Sequence, residues 1–161
     1  MAQQDSFWGE EFVRKLFAIA AVATLLAAQP AFAEIGRIKS LVGEVTVLRN
    51  GAPLPVASGF KLEQGDIIRT GKTGRVGIAF LDNTRMALGP ASRITLDKFA
   101  YDRSRQTGEF LTSVNRGSLG VVSGNIAKSS RDAMRVRTPT SMLGVRGTKF
   151  VVEVKGKGED K

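Results

Sequence analysis

The chain has 161 residues, with 24 lysines and arginines against 15 acidic residues, for a net charge of +9. It contains no cysteine and no histidine. Disulfides and thiolate metal sites are therefore excluded, and the commonest general base near neutral pH is missing. A carboxylate-only cation site remains chemically open, but no spacing calls for one, and we expect neither a metal nor a cofactor.

Residues 1–33 carry the marks of a cleavable export signal. Arg14 and Lys15 form a short basic flank, and Leu16 to Ala28 is apolar except for Thr24. Gln29-Pro30 breaks the run, and Ala31-Phe32-Ala33 supplies a small-x-small cleavage site before Glu34. The run falls short of the ~20 apolar residues that a membrane span needs, so we expect a signal helix that is removed and no stable span after cleavage. The presequence takes two basic and three acidic residues with it, leaving a mature chain at +10. We expect 34–155 to form one β domain and 156–161 a polar tail.

The mature chain alternates short extended runs with turn residues. Val45 and Val47 put apolar side chains on one face of a strand, and Asn50-Gly51 follows as a tight hairpin turn. Gly65 supplies a positive φ, and Asp66 can accept backbone amide hydrogens to hold the turn. Gly71-Lys72-Thr73-Gly74 lacks the full phosphate-loop spacing and is a turn. In the clearest strand, Val76, Ile78 and Phe80 point inward and Arg75 outward; Met86 and Leu88, then Ile94 and Leu96, repeat the scheme with Arg85 and Arg93 outward. Ala100 to Gly108 is polar and reads as an exposed loop or strand crossing. Phe110 to Ser123 contains Leu111, Val114, Leu119, Val121 and Val122, with Gly117, Gly120 and Gly124 as joints, and Asn125 to Ala133 is a short helical turn or mobile loop. Val136 lies inward between Arg135 and Arg137. Lys149 to Lys155 closes the domain, with Phe150, Val152 and Val154 on one face.

Several turn motifs recur in a fixed order: Leu62-x-x-Gly65-Asp66, Thr70-Gly71, Ala79-Phe80-Leu81-Asp82-Asn83-Thr84, Gly89-Pro90-Ala91-Ser92, Gly117-x-Leu119 and Thr138-Pro139-Thr140-Ser141. They end in Gly144-Val145-Arg146-Gly147-Thr148-Lys149-Phe150. The set resembles the FecR-type domain, the periplasmic domain of the ferric-citrate regulator family, over roughly Lys39 to Val154. The resemblance implies an all-β fold of short strands in a solenoid-like or flattened sandwich-like stack. In the namesake regulators a cytoplasmic segment engages a sigma factor and a membrane helix links it to the periplasmic part. Here 15 residues precede the apolar run, so we expect no such cytoplasmic segment.

Two residue sets are candidates for function. Arg75, Arg85, Arg93, Arg135 and Arg137 project outward and could bind anions; solubilising and edge-protecting roles are the alternative. Gly65, Asp66, Gly144, Arg146, Gly147 and Thr148 form the structural motif, in which Arg146 would hold a local carbonyl or an acid such as Asp66 or Asp82. No serine has a histidine to activate it, Asp66 and Asp82 have turn roles, and the spacing of Asp97 and Glu109 calls for no acid–base pair, so no enzyme is expected. The expectation is an exported binding module in the periplasm or at the cell surface, acting on an envelope protein or an anionic polysaccharide or lipid surface rather than nucleic acid. An accessory role in envelope signalling is the alternative, and a polysaccharide-processing enzyme the least favoured.

Overall fold

The computed structural model describes residues 33–147 and 149–155. The expected signal up to Phe32, Thr148 and the tail from Gly156 lie outside them. The described residues form twelve strands and one short helix. The strands are β1 (Glu34–Val42), β2 (Val45–Arg49), β3 (Ala52–Pro55), β4 (Lys61–Glu63), β5 (Ile67–Thr70), β6 (Arg75–Phe80), β7 (Arg85–Leu88), β8 (Arg93–Asp102) and β9 (Thr107–Val122). The helix α1 (Asn125–Ser129) precedes β10 (Met134–Arg137), β11 (Met142–Val145) and β12 (Lys149–Val154).

One continuous sheet curls back on itself, and the long strand β9 belongs to both halves. Its first part pairs with β8 on one side and with β10, in parallel, on the other. Its last part pairs with β7 and β12. Half A therefore runs β4-β1-β6-β7-β9-β12, and half B runs β3-β2-β5-β8-β9-β10-β11. Strand neighbours jump from β5 to β8 and from β9 to β7. The chain does not climb by stacked coils, so the sandwich-like alternative describes it better than the solenoid.

The core lies between the halves. Val76, Ile78 and Phe80 of β6, Met86 and Leu88 of β7, and Ile94 and Leu96 of β8 are all buried, as their alternation predicts. Phe80 of half A meets Phe99 and Phe110 of half B at ring centroids of 5.8 and 4.7 Å, and the latter two stand edge to face at 5.0 Å. Such pairs each add about 0.5–1.5 kcal/mol beyond the area they bury.

β9 crosses between the halves at a glycine. Phe110, Thr112 and Val114 point inward before the crossing, and Leu119 and Val121 after it, so the alternation changes phase between Asn115 and Gly117. Gly117 has φ +85°, and a Cβ there would lie 2.2 Å from Ser92 Oγ and 2.5 Å from its Cα. Ser118 N–H donates to Ser92 Oγ at 3.0 Å, and Ser92 N–H donates to the buried Thr70 Oγ1 at 2.8 Å. Thr70 Oγ1 in turn donates to the Gly89 carbonyl at 2.7 Å. Three motifs separated in sequence thus form one seam.

The polar stretch Ala100–Gly108 is a hairpin, an exposed turn between two paired arms. β8 continues to Asp102 and β9 starts at Thr107, with Ala100, Tyr101 and Asp102 paired to Glu109, Gly108 and Thr107. Arg103 to Gln106 form the turn, and the side chains from Asp102 to Thr107 are exposed, so the stretch is polar although both of its arms are paired. Asn50 and Gly51 both take positive φ, 52° and 80°, as the tight β2–β3 turn requires.

Candidate functional site: an arginine face

Two buried carboxylates are spent on the fold. Asp66 is fully buried and takes a two-pronged contact from Arg49, Nε to Oδ1 and Nη2 to Oδ2, both at 2.8 Å. It also accepts the Glu63 amide at 2.9 Å, which closes the turn that Gly65 opens with φ +90°. Arg49 reaches Glu63 Oε1 at 2.6 Å and lies 5.6 Å from the Phe60 ring centroid. The hydrogen bond to Asp66, offset in part by burial, raises the Arg49 pKa above its usual value. Asp82, also fully buried, accepts Thr84 N–H at 3.0 Å and Thr84 Oγ1–H at 2.7 Å. Its Oδ2 and backbone carbonyl receive the Ile126 and Asn125 amides at 3.4 and 2.8 Å, tying the start of α1 to the β6–β7 turn. A Cβ on Gly124 would fall 2.2 Å from the Asp82 carbonyl oxygen, so the close approach needs glycine.

These contacts leave neither Asp66 nor Asp82 as a partner of Arg146. Asp66 is held by Arg49, and Asp82 by hydroxyl and amide donors. Arg146 is exposed and makes no ion pair among the described residues. Gly147 supplies the bend between β11 and β12 with φ +58°. Gly144 lies inside β11 opposite Arg135, in extended backbone, where a Cβ would come 3.1 Å from Asp132 Oδ1. Thr148 lies outside the described residues.

The five outward arginines do not form one patch. Arg75 and Arg85 lie on the outer face of half A, with Arg75 opposite Val42 and Arg85 opposite Ala79 and Val122. Arg85 and Lys149 border an open trough of about 560 Å³ whose floor includes Ala87, Gly120 and Val122. Arg93 belongs to half B, because β8 leaves β7 to pair with β5. Arg135 is engaged with Glu109, which also holds Lys98 Nζ at 2.5 Å. The Lys98 hydrogen bond, with the charges of Lys98 and Arg135, lowers the Glu109 pKa. Arg137 is exposed and lies beside Ser113 of β9 and Met142 of β11.

Half B assembles a different set. Arg69 of β5 pairs directly with Arg93 of β8, and Arg93 pairs directly with Arg116 of β9. Neighbouring strands are about 4.8 Å apart, so three guanidinium-bearing side chains arise within about 10 Å. Thr46 continues this row on β2, opposite Arg69. The next row on the same face runs Leu48, Ile67, Thr95, Ser113, Arg137 and Met142. Neither row contains an acidic residue. Arg69, Arg93, Arg116 and Arg137 make no ion pair among the described residues, and Arg93 Nε is buried without a protein acceptor. Like charges directly opposite each other weaken a sheet, so the row opposes folding.

Sequence reading found Arg93 and Arg137 but missed Arg69 and Arg116. Alternation with the buried Ile68 and Thr70 marks Arg69 as outward. Arg116 sits at the phase change of β9, where alternation fails as a guide. Their meeting depends on the non-sequential order β5-β8-β9.

The chain matches no curated protein and no solved structure. Residues 66–160 match the family model described as FecR protein. That span is more than half of the chain and takes in Asp66, the Thr70–Ser92–Gly117 seam and every arginine of the half B face, and the chain belongs to the FecR family.

Proposed function

We propose that the protein is a non-catalytic binding module of the cell envelope, exported through its N-terminal signal and acting in the periplasm or at the cell surface. One observation carries this reading: two adjacent acid-free rows on the outer face of half B, where Arg69, Arg93, Arg116 and Arg137 lack ionic partners among the described residues, apart from the Lys98–Glu109–Arg135 group farther along the same face. Charges placed against one another without a fold-stabilising partner suit an external anionic partner, whether an envelope protein or an anionic envelope polymer or surface. Catalysis has no comparable support. Asp66 and Asp82 are both occupied by donors that hold turns, whereas acid–base work on a polysaccharide needs two free carboxylates facing a cleft.

Family membership favours a second reading, since FecR domains are associated with envelope signalling regulators. In that role the module would relay an envelope cue to a separate membrane protein. Retention experiments on envelope extract, run at low and high salt with immobilised protein, separate the two. Capture of a defined envelope protein that survives high salt supports the signalling role. Salt-sensitive capture of anionic material supports the simpler binding role. No specific capture at either ionic strength would contradict both.

A further inference from the structure

We propose that the outer face of half B docks onto a phosphate-bearing lipid surface. The inference rests on the binding-module reading and names its partner. Three features of the face select lipid.

The first is charge. Arg69, Arg93 and Arg116 stand in one cross-strand row, and Arg137 lies in the next row beside Ser113. Guanidinium forks match phosphate oxygens with paired donors, and juxtamembrane basic residues each add substantially to binding at an anionic leaflet. The second is shape. Arg69, Arg116 and Arg137 are exposed on the face of a sheet, with Arg93 half-buried between Arg69 and Arg116, so many head groups can be met at once.

The third is the apolar shoulder. Leu48 and Ile67 are half-buried in the row below the arginines, and Met142, next to Arg137, is 51% exposed. Arginine stems beside apolar side chains fit an interface where the stem lies against acyl-chain edges and the head reaches phosphate. A soluble polyanion would gain nothing from the apolar part. Half A offers a contrast. Half A also has exposed apolar side chains beside its arginines, Val42 opposite Arg75 and Val122 opposite Arg85, but its arginines form no row: they are separated by the Gly77–Ala87 pair.

Vesicle co-sedimentation tests the proposal, with phosphatidylglycerol–phosphatidylcholine vesicles against phosphatidylcholine alone. The whole chain is used, so that any affinity of residues 1–33 for lipid is common to every variant. R69Q/R116Q should lower partition onto the anionic vesicles about 30-fold. R75Q/R85Q removes the same charge from half A and should lower it about threefold or less. Circular dichroism confirms that both variants keep their sheet content. Equal losses in the two variants would overturn the proposal, because bulk charge would then explain binding. Unchanged partition in R69Q/R116Q would also overturn it. If vesicles fail to bind while soluble polyphosphate binds and is lost in R69Q/R116Q, the lipid partner is wrong but the binding-module reading stands. If neither probe binds and envelope extract yields nothing, both fail.

Discussion

Arg49 and Arg93 lie on the same half of the sheet with β5 between their strands, yet they do opposite things. Arg49 meets Asp66, Glu63 and the Lys61 carbonyl, and uses its guanidinium to close a turn. Arg93 meets Arg69 on one side and Arg116 on the other. The first region is electrostatically complete, and its charges serve the fold. The second is incomplete, and its charges weaken the fold that displays them. Surplus charge that folding would discard points outward, to a partner. The same residue type thus carries structure at one place and function at another, and only the neighbours distinguish the two.

The comparison breaks most readily at its paired end. R49M would leave Asp66 fully buried without a counter-charge, and should cost about 3–5 kcal/mol in chemical denaturation. A smaller loss would mean that the turn, rather than the ion pair, holds Asp66. G117A should cost about 2 kcal/mol or more, since it adds a Cβ at positive φ against Ser92, and thermal unfolding would report it.

A weaker effect sharpens the middle case, the Lys98–Glu109–Arg135 group. Glu109 has a lowered pKa, so it stabilises the fold above the ordinary carboxylate range. That contribution falls away as pH drops through its depressed folded value. E109Q should flatten this acid limb of the stability curve while leaving a smaller difference at low pH. The smallest change belongs to the arginine face: R69Q/R116Q should alter stability by no more than about 0.5 kcal/mol, and toward gain.

Much of the fold was legible in the sequence for simple reasons. Period-two alternation marked β6, β7 and the start of β8, because each buries one face. Asn50-Gly51 and Gly65-Asp66 announced their turns through φ requirements that few other residues meet. The reading failed where alternation carries no information. Ala100–Gly108 is polar because its side chains from Asp102 to Thr107 are exposed, so its pairing left no hydrophobic trace. The roles of Gly89-Pro90-Ala91-Ser92 and Gly117 could not be joined, because their contact spans 26 residues of chain. The candidate site was half legible. Outward arginines could be listed, but Arg135 could not be set aside without its distant partner Glu109. Nor could Arg69 be added without the strand order.

The most direct test of the central claim is the salt dependence of stability in the wild-type chain and in R69Q/R116Q. If the arginine row opposes folding, R69Q/R116Q will be at least as stable as the wild type at low ionic strength. The two will converge as salt screens the repulsion. Should R69Q/R116Q instead lose more than about 1 kcal/mol at low salt, the row serves the fold, and the case for an external anionic partner falls with it.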